Sequence, residues 1–173
     1  QTQDHPQFKT YGEELKWLTT DKTRMKWVAN TIKDISSSGN TLILVDRISA
    51  GEILEEQIED AVFVSGSTKN TDRKEQYDEI STATNKVIIA TYGVAAVGIN
   101  IPRIFNLVLI EPGKSFVRVI QSIGRGIRKA EDKDSVQIWD ITSSCKFAKR
   151  HLGARKKFYK EANYPYNIEK IDY

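Results

Sequence analysis

The chain has 173 residues, 39% of them hydrophobic and 28% charged, enough for one domain with a sizeable core. Its 26 basic and 23 acidic residues leave a net charge of +3, which admits a polyanionic partner without demanding one. A single cysteine, Cys145, excludes a disulfide framework and fits a reducing, cytoplasmic compartment; two distant histidines, His5 and His151, complete no zinc site; and no apolar run reaches the roughly 20 residues of a membrane span.

Residues Gln1 to Thr10 are polar, carry Pro6 and read as a linker or fragment end, with one domain from 11 to 173. The chain begins at Gln1 and its one methionine is Met25, so a piece of a longer polypeptide is expected. Glu13 to Leu18 is too short to assign. Asp21 to Ile35 reads as a helix, with Met25, Val28, Ala29, Ile32 and Ile35 on one side and Asp21 or Thr20 as N-cap. Ser36-Ser37-Ser38-Gly39 ends it.

An alternation then begins. Thr41–Val45 is an apolar strand followed by a helix from Ser49 to about Glu59. Ala61–Val64 precedes a helix from Thr71 to about Ser81, and Lys86–Ala90 precedes a short apolar helix near Val94. Asn106–Ile110 leads to a helix over Phe116–Lys129. Val136–Asp140 leads to a basic helix from about Lys146 to Glu161. Apolar strands alternating with helices predict a doubly wound, mostly parallel α/β sheet covered on both faces. In such sheets ligands bind beyond the carboxyl ends of the strands.

The Phe116–Lys129 helix holds the pattern Gln121-x-x-x-Arg125-x-x-Arg128. These three stand at i, i+4 and i+7 and share one stripe, while Val117, Ile120, Ile123 and Ile127 form the neighbouring core face. Gly124 and Gly126 each cost a helix about 1 kcal/mol relative to alanine. A helix that approaches a phosphate has reason to keep them, because guanidinium forks match phosphate oxygens and glycine permits close approach.

Two sequences imitate other sites. Gly113-Lys114-Ser115 follows a strand as a phosphate-binding loop would, but Val108 stands where that loop needs glycine, so Pro112-Gly113 reads as a turn. Asp46 after Leu42–Val45 imitates a magnesium ligand or phosphoacceptor; helix capping or arginine pairing is the expected role. The chain thus has a nucleotide-handling pattern with neither a phosphate cradle nor a metal ligand of its own, like half of a site.

On these residues the chain resembles the second RecA-like domain of superfamily 2 helicases and translocases, in the group of UvsW-type phage recombination helicases and their XPB-like relatives. Thr41-Leu42-Ile43-Leu44-Val45-Asp46-Arg47-Ile48-Ser49 resembles motif IV. Ile88 to Pro102 resembles motif V, and Gln121 to Arg128 resembles motif VI. Val64-Ser65-Gly66 and the lead-in from Tyr11 to Leu18 with Arg24 also match. The resemblance implies that Arg125 and Arg128 are arginine fingers toward ATP held, with Mg2+, by a separate N-terminal RecA-like domain. It implies that Gln121 bonds the phosphate or attacking water, and that Gly98 and Asn100 line the nucleotide cleft. Arg47, Ser49, Ser65, Gly66 and Thr91 would contact the backbone of a tracked DNA strand, independent of sequence. Asn100 departs from the family's usual aspartate; it keeps the acceptor and loses the charge. The expected function is the C-terminal motor domain of an ATP-dependent DNA helicase, inactive alone, in a host cytoplasm if phage-encoded. The alternative is a non-catalytic nucleic-acid-binding module derived from a helicase half. The basic terminal helix reads either as a docked helix with a solvated face or as a further nucleic-acid contact.

Overall fold

The computed structural model describes residues 5–65, 85–96, 104–113, 119–121, 136–162 and 164–171. Five strands form one parallel sheet: β1 (Thr41–Val45), β2 (Val62–Val64), β3 (Val87–Thr91), β4 (Asn106–Ile110) and β5 (Gln137–Ile141), in the order β2-β3-β1-β4-β5. The helices are α1 (Tyr11–Thr20), α2 (Lys22–Ser36), α3 (Ile48–Gln57), α4 (Tyr92–Ala96) and α5 (Lys146–Glu161). The expected helix over Thr71–Ser81 lies outside the described residues, as does most of Phe116–Lys129. None of the described helices is long and apolar enough to cross a membrane.

The central strands are apolar throughout because both faces are covered. Leu42, Leu44, Ile88, Ala90, Leu107 and Leu109 pack with Val94, Ala95, Val119, Ile120 and Tyr159 on one face. Ile43, Val45, Ile89, Val108 and Ile110 pack with Met25, Val28, Ile32, Ala50 and Leu54 on the other. With period 2 along each strand, this division assigns α2 and α3 to one layer and α4 and α5 to the opposite one.

The register is fixed at the amino edge by side-chain amides. The Asn40 side chain accepts from the Lys86 N–H at 2.8 Å, and its backbone carbonyl accepts from the Phe105 N–H at 3.0 Å. Asn106 donates to the Ile35 carbonyl and accepts from the Trp139 indole at 3.2 Å each. A strand slipped by one residue would break these bonds and turn the apolar set outward. In α3, Gly51 admits the Phe63 ring: a Cβ there would lie 2.5 Å from it.

The unassigned segment after Thr10 forms a full helix. Thr10 caps α1 by accepting from the Glu13 N–H at 3.2 Å, and Leu15 and Leu18 face inward. Glu14 is buried as well, accepting from the Phe147 and Ala148 N–H groups at 3.0 and 2.7 Å. Its carboxylate therefore caps α5 from far along the chain, a contact no local pattern reveals. Asp21 caps α2 as expected, accepting from the Arg24 N–H at 3.0 Å.

Candidate functional site

All five strands end at one edge, and the register puts neighbouring ends side by side: Val45 against Thr91, and Ile110 against Ile141. The order β2-β3-β1 therefore gathers Ser65, Thr91 and the Arg47–Ser49 segment along half of that edge. Gly66, Gly98, Asn100, Arg125 and Arg128 lie outside the described residues.

Within this half the placements differ. Ser49 is exposed in the first turn of α3, and the Arg47 guanidinium reaches the Gly12 carbonyl at 3.4 Å. Ser65 is buried. The Thr91 hydroxyl accepts from the Val94 N–H at 3.3 Å, so it serves the start of α4. Asp46 does not take the expected capping or pairing role: Arg47 is the N-cap of α3, without a side-chain cap, and Asp46 is exposed with no such bond among the described residues. The backbone turns at Arg47, and Asp46 is left pointing to solvent before the helix starts.

Gln121 stands in the one described turn of its helix. Ile120 is buried in the core and Gln121 is exposed, as the apolar periodicity requires; Val119, outside the expected core face, is buried as well.

The other half of the edge is occupied by a buried ionic network that the sequence did not announce. Glu111, directly after β4, is ion-paired to the fully buried Arg24 of α2 and accepts from the Thr142 hydroxyl at 3.4 Å. Its φ of +45° is a strained conformation for a residue with a side chain. Burial raises the Glu111 pKa, with Arg24 and Arg155 opposing. Arg155 of α5 holds Asp140 through two bonds of 2.7 and 2.9 Å and donates to the Pro112 carbonyl at 2.8 Å. Tyr159 donates to Asp140 at 2.8 Å, and Tyr92 to the Ile110 carbonyl at 3.0 Å. A Cβ on Gly113 would lie 3.0 Å from the Tyr11 hydroxyl, whose pKa burial and then Asp46 push up to about 12. Glu111, Pro112 and Gly113 are thus each held from outside, at the root of the segment leading to Gln121.

A parallel five-stranded RecA-like sheet with motif residues at its carboxyl edge defines the class, and the chain matches the family described as the helicase conserved C-terminal domain over residues 23–130. The chain belongs to that family. Over 155 residues it is 29% identical to the ATP-dependent DNA helicase uvsW of Enterobacteria phage T4, a match covering 87% of this chain and 31% of that protein. It is 29% identical over 137 residues to putative helicase 22 of a Sulfolobus islandicus filamentous virus, covering 77% of this chain and 24% of the relative. The crystal structure of T4 UvsW shares its fold with a TM-score of 0.77 at 24% identity, over 88% of this chain and 35% of that one. The chain spans about a third or less of the length of these relatives.

Proposed function

We propose that the chain is the C-terminal motor domain of an ATP-dependent DNA helicase or translocase, working against an N-terminal RecA-like domain. The observation that supports this most is convergence: the strands that begin the segments resembling motifs IV and V, β1 and β3, end side by side at Val45 and Thr91. The turn resembling the start of motif VI is anchored on the same sheet by Val119 and Ile120.

In this reading Arg125 and Arg128 carry guanidinium forks to the γ-phosphate of ATP bound on the other domain and stabilise charge that develops there. Gln121, exposed on the same stripe, bonds the phosphate or the attacking water. Gly98 and Asn100 line the cleft. Arg47 and Ser49 carry the larger share of contacts to the DNA backbone, since Ser65 is buried and the Thr91 hydroxyl is engaged with α4. Gly66 would add a backbone donor. Mg2+ enters with the ATP held mainly by the N-terminal domain; among the described residues no group of three or more His, Cys, Asp or Glu could hold a metal.

The test is Arg128→Lys in the complete polypeptide. Lysine keeps the charge but loses the planar fork, so ATP turnover with saturating DNA should fall by roughly a hundredfold or more, while DNA affinity and melting temperature stay near wild type. Wild-type turnover would refute the arginine-finger role.

A further inference from the structure

Helix α5 holds seven basic residues against one acidic, which leaves 19 basic against 22 acidic in the rest of the chain. The net positive charge of this protein is therefore concentrated on one helix. It is also sorted by face. Ala148, Arg155 and Tyr159 are buried, and Arg155 is used up by Asp140 and Pro112. Lys146, Lys149, Arg150, Lys157 and Lys160 are exposed. At 3.6 residues per turn these five fall within about 100° of arc, opposite the buried three. Between the two groups of cations the same face presents exposed Gly153 and Ala154, and a Cβ on Gly153 would meet nothing within 4 Å.

This stripe is a poor arrangement for a helix that only needs solubility. Solvated faces intersperse both signs, whereas none of the five cations is ion-paired among the described residues. Lys146 and Lys149 lie in the first turns, where the helix dipole disfavours positive charge, and Lys146–Arg150 and Lys157–Lys160 are like-charged neighbours. The helix is held instead from behind, by Glu14 at its first turn and by Asp140 on Arg155 and Tyr159. The Phe147 ring lies 5.5 Å from the Lys146 ammonium and 5.4 Å from the Arg150 guanidinium and steadies both. From Lys146 to Lys160 the stripe runs about 21 Å, the length of roughly six phosphates along one strand.

We propose that the outer face of α5 is a second nucleic-acid surface, separate from the β2-β3-β1 strand ends, that binds the phosphodiester backbone without reading sequence. The choice of nucleic acid among polyanions rests on the proposed motor function; the surface itself rests on the sorted charge.

The experiment uses the 173-residue chain and a fluorescein-labelled mixed-sequence DNA of about 20 nucleotides, single-stranded and as a duplex, titrated across salt concentrations. Lys149, Arg150, Lys157 and Lys160 are changed together to glutamine, which keeps length and much of the helix propensity. The change should lower affinity about tenfold or more at low salt and make the log–log salt slope shallower by about 3, with an unchanged melting temperature. The strand type that loses more is the one this face contacts. Unaltered affinity and slope on both would overturn the proposal. If the fourfold variant melts early, Lys157→Gln with Lys160→Gln should shift the slope by about half as much, and no shift there overturns it equally. A parallel Arg47→Ala, Ser49→Ala variant separates the two surfaces. Loss in the glutamine variant alone supports the α5 surface and counts against the strand-end track; loss in the Arg47 variant alone does the reverse. Vesicles containing phosphatidylserine are the last arm. If the parent chain binds them as tightly as DNA, with the same loss on substitution, the face is a general anion surface and the nucleic-acid assignment fails.

Discussion

The two halves of the sheet's carboxyl edge use the same backbone geometry for opposite ends. Beyond β2, β3 and β1 part of the polar set is open: Asp46 and Ser49 are exposed and α3 starts without a side-chain cap, while Ser65 is buried and Thr91 serves α4. At the ends of β4 and β5 the charged groups pair with one another, buried Arg24 with buried Glu111 and buried Arg155 with half-buried Asp140. Both halves hold charged residues directly after a strand, so polarity at a strand end does not by itself mark a contact site. What separates them is whether a second element arrives to satisfy the group. Helices α2 and α5 reach the β4–β5 half and pair with its charges, while Asp46 and Ser49 stay exposed in the other half.

The sharpest way to break this contrast is Arg24→Ala, which leaves Glu111 buried without its partner. Chemical denaturation should show a loss of about 3–5 kcal/mol. Replacing Arg24 and Glu111 together by Met and Leu should recover most of it, because the pair is incompletely satisfied: Arg24 Nε and Nη1 have no partner among the described residues. A double variant as unstable as the single one would show that the charges, not the packing, hold this half. Next in size is Tyr159→Phe, which removes a hydrogen bond to a half-buried carboxylate while Arg155 keeps Asp140 paired. A loss of about 1–2 kcal/mol is expected in the same assay. The smallest effect sharpens the other side. Arg47→Ala and Ser49→Ala should each change stability by less than about 0.5 kcal/mol, as surface positions do. A larger loss would mean that the open half is itself structural.

The fold was legible because five short apolar runs punctuated by helical patterns admit few arrangements, and Gln121 could be placed because Ile120 falls on the expected core face; Val119, buried beside it, lies outside that pattern. The Arg24–Glu111 pair spans 87 residues, and nothing in either neighbourhood announces it. Arg155 was hidden by company, one cation in a run of three with Lys156 and Lys157. Reading Ala148, Leu152, Arg155 and Tyr159 as a stripe at i, i+4, i+7 and i+11 would have found it, since that stripe puts the arginine on the apolar face. The reading of Asp46 failed for a local reason: capping depends on which residue turns last before the helix, and that residue is Arg47. Helix α1 escaped assignment because its second anchor, Glu14, works 133 residues away.

That last distance has a kinetic meaning. During synthesis α1 is made well before α5, whose amides Glu14 will cap across 133 residues. Until then the carboxylate has only water, and a helix rich in like charges has no anion at its amino end. Closing a 133-residue loop costs more entropy than pairing β1 with β3 and β4, whose partners lie 46 and 65 residues along the chain. The clasp between α1 and α5 is therefore the natural final step of folding, and the first joint to open under strain.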